Sequence, residues 1–284
     1  MSDQHTFGAR LRLSRLGRRS PDGRLMVVPL DHSVTDGPIR TAASFDGLIG
    51  TLAESGVDAV VLHKGTARHV DPRWFTDMSL IVHLSASTAH APDPDAKYLV
   101  SSIETALRLG ADAVSVHVNV GSREEAAQVA DLARVAESCD HWNLPLLAMM
   151  YARGPQIGDP RDPELLAHAG TLAADLGADI VKLPHPGTGQ GVADLVRACP
   201  VPVVLAGGPP VDDIAEVRER VLEAVRAGAA GVAMGRNVFQ AERPGEIARE
   251  IADLLHSAPG PAGTPGFAPP AHRRLDHQMT GRTS

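Results

Sequence analysis

Aromatic residues make up only 3% of this 284-residue chain. With 43% hydrophobic residues, its core must therefore be built from Val, Leu, Ile and Ala rather than from stacked rings. Cysteine occurs twice, as Cys139 and Cys199, without metal-ligand spacing. That excludes a disulfide-stapled secreted domain and a zinc ribbon, and both read as reduced packing residues of a cytoplasmic protein. No apolar run reaches the length of a membrane span. The basic N-terminus, MSDQHTFGARLRLSRLGRRS, lacks the apolar stretch of a secretory signal, and its LRLSRL segment reads as a short helix capping the body. A net charge of −7 and a pI near 6.0 give no electrostatic ground for binding nucleic acid or an anionic membrane. Lysine is the most informative scarcity: Lys64, Lys97 and Lys182 stand against 24 arginines. Where arginine is the default cation, a lysine inside an apolar strand points to amine chemistry.

What is present is a repeat of apolar strand, loop, amphipathic helix and turn. The strand runs are 25–32, 58–65, 79–87, 112–120, 144–154, 178–186, 201–209 and 230–239. They are β-branched and apolar on both faces, the pattern of parallel strands covered by helices. Helical stretches include 97–110, 122–139 and 163–177. Gly110, Gly177 and Gly228 stand as helix stops, and Ser122 with Glu125 has capping-box spacing. GVDAV (56–60), GADAV (110–114) and GADIV (177–181), with GAAGV (228–232), mark successive helix-to-strand junctions. Eight such units predict a single (β/α)₈ TIM barrel over 25–257, with an N-terminal cap over 1–24. The first strand is followed by no GxGxxG, which argues against a doubly wound open sheet. Residues 258–284, rich in Pro, Gly and Ser, read as a flexible tail.

Chemistry in such a barrel sits at the C-terminal ends of the strands. Lys182 shares a strand face with Ile180, while Val181 and Leu183 face the helices. Burial inside the barrel is expected to lower the lysine's pKa, freeing the amine to attack a ketone and form an iminium. Tyr151, one of two tyrosines, ends the fifth strand and can donate and accept a proton. Asp31 ends the first strand beside His32, where a carboxylate can relay protons. The loops after strands seven and eight, AGGPP and MGRN, place backbone N–H groups of Gly207, Gly208, Gly235 and Arg236 for a substrate phosphate. In the fourth strand Ser115, His117 and Asn119 alternate with valines and face the barrel axis. Histidines at 32, 63, 83, 117 and 185 raise the question of zinc. They form no local ligand motif, and no metal is expected.

The runs VPLDHSVTDGP, VVLHKG, HLSAST, DAVSVHVNVGS, LLAMMYARG, GADIVK, VVLAGGP and GVAMGRNVFQ resemble the archaeal-type class I aldolases of the DeoC/LacD superfamily. The pattern is nearest the branch of the 2-amino-3,7-dideoxy-D-threo-hept-6-ulosonate synthases. That group includes archaeal fructose-bisphosphate aldolases and the aldolases of 3-amino-4-hydroxybenzoate biosynthesis. The resemblance spans about residues 22 to 255. It implies Lys182 as the Schiff-base lysine, Tyr151 as acid/base, Asp31 as assisting carboxylate and the two glycine loops as a phosphate site. No cofactor is implied beyond the covalent imine, and assemblies of ten subunits are common in the family. Two departures stand out: LPHPG follows the lysine, where His185 and Pro186 bear on the acceptor pocket, and Ser33 replaces the family's usual glycine.

The resemblance implies condensation of a phosphorylated ketose, expected to be dihydroxyacetone phosphate, with L-aspartate 4-semialdehyde. Arg153 or Lys64 is the expected holder of the acceptor's carboxylate, with His32, His117 and His185 as further substrate contacts. The Arg- and Ala-rich composition suggests a GC-rich gene and favours an aminohydroxybenzoate route. The alternatives are a hept-6-ulosonate synthase of transaldolase type, a fructose-bisphosphate aldolase, and a sugar-phosphate-binding barrel without turnover.

Overall fold

The computed structural model describes residues 5–39, 44–211 and 213–257. Eight parallel strands close into a barrel: β1 (Leu25–Pro29), β2 (Ala59–His63), β3 (Ser79–His83), β4 (Ala113–Val120), β5 (Leu146–Ala152), β6 (Ile180–Leu183), β7 (Val203–Ala206) and β8 (Gly231–Ala233). Each pairs with its chain neighbour, and β8 pairs with β1 to close the ring. The expected (β/α)₈ barrel is therefore present, and the tail expected over 258–284 lies outside the described residues.

Strand parity divides the apolar residues into two cores. Val181 and Leu183, like Val114, Val116 and Val118, pack outward against the helices. Ile180, Met149, Val61 and Val27 point inward and form a second cluster. The helix Phe7–Leu16, capped by Thr6 Oγ1 accepting from the Ala9 N–H, adds Leu13 and Leu16 to that inner cluster. It closes the floor of the barrel, at the opposite end from the strand C-termini. Gly110, Gly177 and Gly228 take φ of +77°, +98° and +88°, the left-handed conformation that ends a helix and suits a residue without Cβ.

Two local expectations are corrected. The stretch 97–110 is helical only over Ile103–Arg108. Before it, Tyr98–Leu99 pairs antiparallel with Ser85–Ala86, and the Val100 N–H donates to Leu84 O at 2.8 Å. Ser102, whose hydroxyl accepts from the Thr105 N–H, sets the later helix start. Ser122 and Glu125 do not form a capping box. Ser122 Oγ accepts from Gln128 Nε2 at 2.7 Å, while Glu125 reaches back to the Gly121 N–H at 2.5 Å.

Candidate active site

The first three strands end in one charged group. Past Pro29 the chain turns, and Asp31 opens the short helix His32–Asp36. Its carboxylate lies 3.7 Å from His83 Nε2 at the end of β3 and 3.8 Å from His32 Nδ1. The His63 ring, at the end of β2, meets His83 edge-on at 5.3 Å between centroids. Ser115 Oγ on β4 sits 2.8 Å from His83 Nδ1, which leaves Nε2 to face the carboxylate. Burial alone would raise the Asp31 pKa, but His83, His32, Lys182 and His63 together hold it well below the usual carboxylate range. Burial also dominates His83 and brings it down to about 4, against the pull of Asp31.

Lys182 lies within β6 and is 6% exposed. Its Nζ is 5.8 Å from the centroid of the Tyr151 ring on neighbouring β5. His117 stacks on that ring at 4.8 Å with planes 25° apart, and Arg153 Cζ lies 4.6 Å from its centroid. His117 Nε2–H donates to Asn119 Oδ1 at 2.9 Å, and Asn119 stands in register with Tyr151. Burial, then the charges of Lys97 and Arg153, depress the His117 pKa well below its ordinary value, so the stacked imidazole is neutral. Asp31, Lys182, Tyr151, His117 and Arg153 thus gather at one rim.

The glycine loops stand beside them. Gly208 adopts φ +72°. At Gly235 a Cβ would sit 2.7 Å from Pro29 O and 2.8 Å from His32 Cε1, so only glycine allows this close approach. The N–H groups of Gly235 and Arg236 open the helix Arg236–Phe239, where no preceding turn supplies carbonyls for them. Gly207 differs from expectation: its N–H donates to Ala233 O at 3.0 Å within the sheet, because β7 carries its ladder one residue further. The Arg236 guanidinium donates to Gly208 O at 3.4 Å. His32 packs edge-on against Phe239 at 5.3 Å, linking this loop to Asp31.

Two expected substrate contacts are engaged elsewhere. Lys64 opens the helix Lys64–Ala67 and donates to the carbonyl of Val100. His185 turns toward the helix Ile214–Arg226, with Nε2 3.3 Å from Glu223 Oε2 and Nδ1 accepting from the Gly187 N–H at 3.0 Å. Conversely, the strand pattern gives no hint of Asn237. Its buried amide donates to Gly207 O at 3.1 Å and Pro209 O at 3.3 Å, and its Oδ1 accepts from the Val211 N–H at 2.9 Å. It stitches the loops after β7 and β8 together. Lys97, read as the start of a helix, is instead buried beside the site at 8% exposure.

The model of the DeoC/LacD family aldolases matches residues 25–241, which includes all eight strands. The chain belongs to the DeoC/LacD aldolase family. This aldolase is 59% identical over 268 residues to the 2-amino-4,5-dihydroxy-6-oxo-7-(phosphonooxy)heptanoate synthase of Streptomyces griseus, covering 94% of this chain and 96% of that one. It is 41% identical over 252 residues to a 2-amino-3,7-dideoxy-D-threo-hept-6-ulosonate synthase of Archaeoglobus fulgidus, covering 89% and 92%. An archaeal fructose-1,6-bisphosphate aldolase, solved with its catalytic lysine covalently bound to the carbinolamine intermediate of the substrate, superposes with a TM-score of 0.79 at 28% identity, covering 87% of this chain and 99% of that one. The enzyme is a carbon–carbon lyase. Among the described residues of the aldolase, no three His, Cys, Asp or Glu side chains converge as metal ligands, and no helix is long and apolar enough to cross a membrane.

Proposed function

We propose that this aldolase joins dihydroxyacetone phosphate to L-aspartate 4-semialdehyde through an imine on Lys182. The observation that carries the reading is the placement of Lys182: buried in the barrel, charge-coupled to Asp31, and 5.8 Å from the Tyr151 ring. The substrates follow from the Streptomyces griseus relative, whose product carries its amino group on carbon 2, hydroxyls on 4 and 5, a ketone on 6 and phosphate on 7. Reversing an aldol addition between carbons 4 and 5 divides that skeleton into a three-carbon ketose phosphate and the four-carbon semialdehyde of aspartate.

The steps balance on this chain's own groups. The Lys182 amine adds to the ketone carbon, and water leaves as the iminium forms. Asp31, ionised in the site, takes up the proton that the nitrogen sheds on addition and returns it to the departing hydroxyl, which leaves as water. The Asp31 carboxylate, ionised again, takes the proton from the hydroxymethyl carbon, and the enamine so formed attacks the aldehyde carbon. The Tyr151 hydroxyl supplies the proton that the aldehyde oxygen needs as the new bond forms. Water then hydrolyses the imine, releasing the seven-carbon product and the free lysine, and the proton held by Asp31 returns through water to the Tyr151 phenolate. The N–H groups of Gly208, Gly235 and Arg236, with the Arg236 guanidinium, hold the phosphate throughout.

Borohydride added with dihydroxyacetone phosphate is expected to leave a mass adduct on the Lys182 peptide and none on the Lys64 or Lys97 peptides. An unlabelled Lys182 rejects the imine. Turnover of fructose 1,6-bisphosphate without turnover of the semialdehyde rejects the choice of acceptor.

A further inference from the structure

Two cations at the barrel mouth take no part in these steps. Lys97 comes from the excursion between β3 and β4. Its Nζ donates to Ser87 Oγ at 2.5 Å, and that hydroxyl donates onward to Pro94 O at 2.6 Å. An ammonium has three donors, so this contact orients Lys97 without exhausting it. Arg153 follows β5, exposed to solvent, with its guanidinium over the same Tyr151 ring that faces Lys182.

One step of the sheet ties the pair together. Asn119, in register with Tyr151, donates from Nδ2 to Asp95 O at 2.8 Å, and Gln128 Nε2 donates to the same carbonyl at 3.1 Å. Asp95 stands two residues before Lys97, so the excursion is pinned where its lysine turns toward the Arg153 side. The charges feel each other: after burial, Arg153 is the largest influence lowering the Lys97 pKa. Among the described residues, neither Arg153 nor Lys97 is in a salt bridge with a carboxylate; the nearest partner of Lys97 is the Ser87 hydroxyl. Asp95, Asp31 and Asp36 offset part of the repulsion from beyond ion-pairing distance, and an anion bound directly between the two cations relieves the rest.

The position decides which anion. In the ring order β5 stands opposite β1, and the phosphate loops after β7 and β8 lie across the mouth, with Lys182 and Tyr151 on β6 and β5 between them. A donor phosphate at those loops leaves the cation pair for the other reactant. We propose that Lys97 and Arg153 form a carboxylate subsite that seats the α-carboxylate of the acceptor aldehyde, an inference that rests on the amino-acid aldehyde assigned above. Asp95, two residues before Lys97, acts on it in the opposite sense to Arg153, so the pair is partly neutralised and suits a singly charged carboxylate. A doubly charged phosphate meets repulsion from the Asp95 carboxylate.

The test is steady-state kinetics of Lys97→Met and Arg153→Gln with L-aspartate 4-semialdehyde, beside borohydride trapping of dihydroxyacetone phosphate on Lys182. Each variant is expected to raise the KM for the semialdehyde about tenfold or more, the loss of one charged hydrogen bond, while trapping keeps its wild-type dependence on donor concentration. Lys97→Arg restores most of the affinity and separates charge from fold. A KM within twofold of wild type in both variants overturns the subsite, as does an equal loss of trapping. A comparable rise in KM for glyceraldehyde 3-phosphate, turned over as well as the semialdehyde, overturns the carboxylate assignment. A wild-type enzyme that traps the donor yet is idle with the semialdehyde rejects the proposed reaction and this subsite together. An active wild type with unmoved variants rejects the subsite alone.

Discussion

His83 Nε2 lies 3.7 Å from Asp31 Oδ2 in the interior of the barrel mouth. The histidine is 4% exposed and its far nitrogen is held by Ser115, so it faces the carboxylate as a neutral ring. The pair makes stability pH-dependent in a definite direction. His83 titrates at about 4 in the fold against 6.5 when unfolded, and His117 is lowered in the same sense. Between those values the unfolded chain binds more protons, so stability present above pH 6.5 is lost as pH falls toward 4. Thermal midpoints at pH 7 and pH 5 are expected to differ by less in His83→Gln than in wild type; equal differences reject the linkage. Asp31, held well below 3.8, adds its own loss only below that pH and stays ionised through the working range.

Tyr151→Phe keeps the ring that stacks on His117 and removes only the hydroxyl. If that hydroxyl moves the proton at the new carbon–carbon bond, kcat falls by about 10²- to 10³-fold, as for other positioned proton donors. Imine formation on Lys182 precedes that step, so borohydride trapping of the donor should persist. Loss of trapping together with turnover assigns Tyr151 to imine formation instead.

The barrel was legible because helix-covered parallel strands give unbroken apolar runs, and because Ile180 and Lys182 share parity. The same parity brought Ser115, His117 and Asn119 inward. What stayed hidden depends on chain segments that leave the barrel. Lys97 reads as the start of a helix, and only the pairing of Tyr98–Leu99 with Ser85–Ala86 turns it to the site. His185 sits next to the strand that carries Lys182, but its partner Glu223 comes from a helix 38 positions later. Gly207 carries the right residue type for a phosphate loop, yet the sheet claims its N–H. Short-range patterns report strand faces well and tertiary hydrogen-bond partners poorly.

Asn237→Ala tests the stitch between the loops after β7 and β8, the proposed phosphate site. The substitution leaves Gly207 O, Pro209 O and the Val211 N–H without their side-chain partner. Uncompensated buried polar groups cost about 1–3 kcal/mol each, less where water reaches them. The expected outcome is a several-fold rise in KM for dihydroxyacetone phosphate with a smaller change in KM for the aldehyde. An equal rise for both substrates means that Asn237 supports the whole mouth rather than the phosphate end.

Leu16→Ala acts at the other end of the molecule and should separate stability from catalysis. Leu16 is fully buried, and with Leu13 it fills the inner core beneath Leu25, Val27 and Ile180. Truncation removes the apolar plug of the barrel floor, where the surrounding strands are too constrained by their ladder to collapse. A cost of about 2–5 kcal/mol is expected in chemical denaturation. The rim that carries Asp31, Tyr151 and Lys182 lies at the opposite ends of the same strands, so kcat/KM measured well below the melting transition should stay within about twofold of wild type, a change in barrier under about 0.5 kcal/mol. A large drop in kcat/KM at full folding indicates that the plug sets the strand stagger on which the Lys182–Tyr151 geometry depends, and that the floor and the mouth of this barrel are not independent.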